Sequence, residues 1–99
     1  MPQLEKNEEK TMKKSTTHPI ITLCEDHVYF GGMQLTYRLL LFPGEVMHCY
    51  SISISLGKET CEAEAGNDLL VAIEHYQRIR EGRVTPCALD DVMQELRYA

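Results

Sequence analysis

Ser51-Ile52-Ser53-Ile54-Ser55-Leu56 alternates polar and apolar residues without a fault. A period of two sends successive side chains to opposite faces of a strand, so this stretch predicts a strand wet on one face and buried on the other. Upstream, Met33, Leu35, Tyr37, Leu39 and Leu41 repeat the period. If Pro43-Gly44 turns the chain so that Leu41 meets Val46, then Leu39 falls opposite His48, Tyr37 opposite Tyr50, Leu35 opposite Ile52 and Met33 opposite Ile54, all on one face. A slip of one residue would move every apolar side chain to the wrong face, which ties the hairpin to the hydrophobic pattern. Downstream, Gly57-Lys58 predicts a second hairpin, with Ile54 across from Cys61, Ile52 from Ala63 and Tyr50 from Ala65. The small residues leave room for a covering layer. Ile20 to Cys24 and Val28 to Phe30 add a strand, or two short ones broken at Asp26-His27, before a turn at Gly31-Gly32.

Two helices supply the cover. Leu69, Ala72, Ile73, Tyr76 and Ile79 form an apolar stripe at helical spacing, Glu74 and Arg78 an i,i+4 pair on the wet side. Asn67 or Asp68 can cap the start and Gly82 can end it. Val84-Thr85-Pro86 reads as a new helix start with Thr85 as N-cap and Pro86 in the first turn, followed by a stripe of Leu89, Val92, Met93 and Leu96. Strands first and helices last predict an α+β fold: an antiparallel sheet of four to five strands with two C-terminal helices packed on one face. Residues 1–17 mix Lys, Glu, Gln, Ser and Thr with almost nothing to bury and are expected to be a disordered tail ahead of a single domain over 18–99.

Charge divides along the same boundary. The first 17 residues carry four lysines against three glutamates, and the remainder six basic against twelve acidic residues, for a total of −5. So acidic a body would repel a phosphate backbone, and neither nucleic acid nor a membrane surface is expected as partner. Arg78, Arg80 and Arg83 are the one basic cluster, and the end of a helix, where cations favour the dipole, accounts for them. No apolar run is long enough to span a bilayer and no signal core is present, so the cytoplasm is the expected compartment. The four cysteines make no C-x-x-C pair and are expected to be reduced thiols, with Cys61 and Cys87 standing in for small apolar residues.

The strand Tyr37 to Leu40, the run Tyr50 to Ile54, a Gly-centred hairpin, a helix opening at Asp68 and the segment Val84-Thr85-Pro86-Cys87-Ala88-Leu89-Asp90-Asp91-Val92 together resemble a family of short bacterial proteins of unknown function from Gram-positive anaerobes. The resemblance covers roughly residues 33–96 and rests on capping and packing signals. It implies the fold and no activity, cofactor or catalytic residue. The relatives' V-T-P turn carries a histidine where this chain has Cys87-Ala88, so that turn is not expected to hold a required one.

No constellation commits the chain to a chemistry. His48 and Cys49 are strand neighbours and point apart, Cys49 is expected beside Arg38 on the wet face, and His75 is expected to be solvated. Histidines and cysteines lie at no local metal-binding spacing, and Asp90-Asp91, Glu62 and Glu64 read as solvated charges, so no catalytic, cofactor or metal residue is assigned. What remains is surface: Leu40, Phe42 and Met47 cluster around Pro43-Gly44 on an otherwise polar sheet face. Exposed apolar groups rimmed by polar ones mark contact sites, unless the N-terminal strand or tail folds over them. The expected function is a non-enzymatic protein-interaction or regulatory role, through that patch or an open sheet edge and including self-association. The alternative is a small ligand- or metal-binding protein with a pocket between helices and sheet near His48, Tyr37 and Tyr50.

Overall fold

A computed structural model of the chain describes residues 19–97. In order along the chain are β1 (Ile21–Phe30), β2 (Met33–Phe42), β3 (Cys49–Leu56), β4 (Glu59–Glu64), α1 (Leu69–Glu81), a 3-10 turn (Pro86–Ala88) and α2 (Leu89–Arg97). The described strands form one antiparallel meander, β1-β2-β3-β4, with the helices against one face. The fold is α+β, as the pattern requires. The segment expected to be disordered, residues 1–17, lies outside the described residues.

The alternation of β2 reappears as burial, whereas in the inner strand β3 Ser51 and Ser53, expected on the wet face, are buried along with Tyr50, Ile52 and Ile54. Leu35, Tyr37, Leu39, Tyr50, Ile52 and Ile54 meet Ala72, Tyr76, Ile79, Leu89 and Met93 in one core, each large side chain withdrawn from water contributing about 1.5–3 kcal/mol. Small Ala63 and Ala65 are buried too, and α2 packs close over β4. The second hairpin has the expected register, with Ile52 opposite Ala63 and Ile54 opposite Cys61. Gly57 at its turn has a φ of 61°, which suits the first central position of a II′ turn, and Gly31 and Gly32, at 60° and 80°, give the paired left-handed residues of a I′ turn.

The β2/β3 register differs from the expected one. Leu41 pairs with Tyr50, Leu39 with Ile52 and Tyr37 with Ile54, four residues along β3 from the anticipated partners. The buried face is unchanged because four is even. The link is a six-residue loop over 43–48 instead of a tight turn. Cys49 therefore lies opposite Phe42, and Arg38 opposite Ser53.

β1 is one strand through Asp26-His27, irregular only between Thr22 and Cys24. Asp26 points to the helix side, where Tyr76 Oη donates to its Oδ2 at 2.6 Å and Arg80 Nη1 lies 3.4 Å away. A satisfied carboxylate has no need to break the strand. The Tyr37 hydroxyl donates to the Val84 carbonyl at 3.0 Å, tying the sheet centre to the link between the helices.

Asp68 is the N-cap of α1, accepting from the N–H groups of Leu70 and Val71. At the other end Arg83 N–H reaches Arg80 O and Val84 N–H reaches Ile79 O, a Schellman closure whose left-handed residue is Arg83, with a φ of 51°, and not Gly82. Thr85 precedes the 3-10 turn without a side-chain cap; its hydroxyl lies 3.5 Å from Cys87 Sγ instead.

Candidate functional site

The loop over 43–48 is a shaped projection. A Cβ on Gly44 would collide with the Met47 carbonyl, so only glycine permits this path, and Gly44 N–H lies 3.4 Å from His48 Nδ1 across the loop. The loop presents Val46, 92% exposed, and Met47, 54% exposed. Met47 Sδ meets the side-chain nitrogen of Asn67 at 2.9 Å, which joins the loop tip to the start of α1.

There the first turn presents Leu69, Leu70 and Val71, which are 42%, 77% and 41% exposed. Leu69, expected in the buried stripe, is therefore only partly covered; Ala72, Tyr76 and Ile79 carry the burial. Consecutive helical residues are about 100° apart, so three apolar ones in a row cannot all face a core. That was the signal in the sequence for these residues. Leu40 and Phe42 lie two residues apart on the sheet face away from the helices, opposite Ser51 and Cys49, and both are half-buried. The expected trio is thus spread out: Leu40 and Phe42 share a face, while Met47 turns toward Asn67 and the exposed start of α1.

Beside this apolar end runs a groove of about 370 Å³ between the helices and the exit of β4. Ala65 and Gly66 form one wall, Val71 and His75 of α1 a second, and Met93, Leu96 and Arg97 of α2 the third. Arg97 Nη2 donates to the Glu64 carbonyl at 2.7 Å. His75 is half-buried, not solvated, and its Nδ1 is enclosed without a hydrogen-bond partner among the described residues. It sits one turn beyond Val71 on the side of α1 that faces α2, where small Ala65 and Gly66 leave the space open.

His48, Tyr37 and Tyr50 are not brought together. Tyr37 is fully buried with its hydroxyl engaged by Val84, the shifted register gives Tyr50 to Leu41, and His48 turns to its own loop. His75 and Cys87 line different depressions. Among the described residues no three His, Cys, Asp or Glu side chains are grouped to hold a metal ion.

Two polar networks complete the inventory. On the open sheet face Glu25 receives Arg38 Nε at 2.9 Å and lies 3.1 Å from His27 Nε2, while His27 Nδ1 lies 3.1 Å from Thr36 Oγ1. The Arg38 hydrogen bond holds the Glu25 carboxyl below the usual range. On the helix side, burial first and the Asp26 carboxylate second push the Tyr76 hydroxyl far up; burial raises that of Tyr37. Neither network contains a poised nucleophile.

No family model matches the chain, and no curated protein and no solved structure matches it either. No helix among the described residues is long and apolar enough to cross a membrane.

Proposed function

We propose that the protein is a non-enzymatic interaction or regulatory protein, acting in the cytoplasm, whose contact surface is the apolar end made by Val46, Met47 and the first turn of α1, with Leu40 and Phe42 at its sheet-side margin. The observation that carries the reading is the run Leu69-Leu70-Val71, exposed throughout and joined to the loop through Met47 and Asn67. Water-facing apolar groups of this density cost solubility unless a partner covers them. The acidic body favours a protein partner over nucleic acid.

Native mass spectrometry of the protein purified gently from the cells that make it tests the proposal. A dimer or a stoichiometric complex is expected, lost in Leu70→Ser and Met47→Ser chains whose melting temperatures are unchanged. A complex indifferent to both substitutions would overturn the assignment of the surface.

A second reading has its own support. His75 Nδ1, enclosed and without a partner among the described residues, suits a groove that takes a small, largely apolar ligand with one hydrogen-bonding group. A small adduct in the same spectrum, absent from a His75→Leu chain, would favour it.

A further inference from the structure

Beyond any partner, two of the four cysteines share a place that their positions in the sequence do not suggest. Cys61 of β4 and Cys87 of the 3-10 turn line one shallow depression of about 410 Å³, together with Lys58, Glu59, Thr60 and Pro86. Cys61 lies opposite Ile54, so its side chain points into the layer where the turn sits, and it is half-buried against the core. Buried Pro86 seats the turn against β3 and β4 and leaves Cys87 exposed beside it. The Thr85 hydroxyl stands 3.5 Å from Cys87 Sγ. The remaining thiols are elsewhere. Cys24 is on β1, three strand spacings or about 14 Å across the sheet from β4, and Cys49 faces away from the helices.

We propose that Cys61 and Cys87 form a thiol–disulfide exchange site, with Cys87 the attacking thiol and Cys61 the resolving one. The co-reactant is a low-molecular-weight disulfide. The Cys87 thiolate attacks one of its sulfurs, the S–S bond breaks, and one thiolate leaves. The Cys61 thiolate then attacks Cys87 Sγ, forming the protein disulfide and expelling the second thiolate. Two protein thiols are oxidised, the external disulfide is reduced to two thiols, and the two protons pass to them through solvent. The bridge clips β4 to the start of α2.

The test is to expose the reduced full chain to oxidised glutathione, block the remaining thiols with iodoacetamide, and map peptides without reduction. One intramolecular Cys61–Cys87 bridge is expected, with Cys24 and Cys49 alkylated. In a Cys61→Ala chain glutathione should remain attached to Cys87; in Cys87→Ser, Cys61 should react many-fold more slowly than Cys87 does in the wild type. A stable glutathione adduct on wild-type Cys87 beside an alkylated Cys61, a bridge through Cys24 or Cys49, or no oxidation under conditions that oxidise a free cysteine peptide would each overturn the proposal. These outcomes are read on the wild-type chain and do not depend on how the variants fold.

Discussion

The hydroxyl of Tyr76, in the middle of α1, lies 2.6 Å from Oδ2 of Asp26 on the outermost described strand, and 3.1 Å from the carbonyl of Tyr37 on the next. One side chain thereby anchors the helix to two strands, and β1, which has no described neighbour on its outer side, gains a tertiary tie. Tyr76→Phe keeps the ring and removes the tie, leaving Asp26 with Arg80, whose half-exposed pair adds little. The expected loss is about 1–2 kcal/mol in urea unfolding. Pairing it with Asp26→Asn in a double-mutant cycle should give a coupling of about 1 kcal/mol. Strictly additive losses would mean that the contact contributes nothing.

The same hydroxyl sets an alkaline limit. Tyr37 and Tyr76 both have their ionisation raised in the fold above the ordinary value of 10.0. A raised folded pKa gives stability that is fully present below the unfolded value and lost as pH rises past it, because the unfolded chain releases a proton that the folded chain retains. Stability should therefore be level in these groups up to about pH 9 and fall above about pH 10. Tyrosinate absorbance from the pair should appear together with loss of the folded circular dichroism signal. Ionisation of all five tyrosines in a chain still folded would contradict this.

Much of the fold was legible because alternation reports a face directly: Ile52, Ile54 and Leu35 to Leu41 face the core as their pattern demands, although Ser51 and Ser53 on the other face are buried as well. It does not report register beyond parity. A shift by four residues keeps Tyr37 and Ile54 on the core side as well as the expected pairing did, so the turn has to decide. Gly31, Gly32 and Gly57 have the left-handed φ values that tight hairpins need, and both turns lie where expected. Pro43 has its φ held negative, and Gly44 serves close approach to Met47, so a longer loop forms. The candidate surface was half legible for a related reason. Met47 was visible as an exposed apolar residue near a turn, whereas Leu69 looked like the first member of a buried stripe, and nothing local in the sequence says how far a sheet extends beneath a helix. The depression shared by Cys61 and Cys87 depends on how the 3-10 turn seats on β4, a tertiary fact with no counterpart in spacing.

Arg83 carries a strain that can be removed. It holds the left-handed position of the α1 closure at a φ of 51°, where a Cβ costs about 1 kcal/mol relative to glycine. Arg83→Gly is expected to raise stability by up to about 1 kcal/mol, offset partly by the freedom glycine gains when unfolded. Arg83→Ala keeps the Cβ and should give no gain. Equal effects of the two substitutions on the thermal midpoint would place the cost in the guanidinium and not in the backbone.

His75 offers the sharpest separation of structure from function. An enclosed ring nitrogen without a partner among the described residues carries a penalty, and Met93 and Leu96 give an apolar side chain good company in its place. His75→Leu should stabilise the fold by about 1 kcal/mol, since it removes an unsatisfied polar atom and fills the same volume. A gain on substitution is what a site retained at a cost to stability would show. If the groove takes a ligand, the stabilised chain should also lose the small adduct seen by native mass spectrometry. If His75→Leu instead destabilises the chain, the nitrogen has a partner in solution and the groove loses its distinguishing feature. In that event the apolar end at Met47 and Leu70 is left as the stronger candidate.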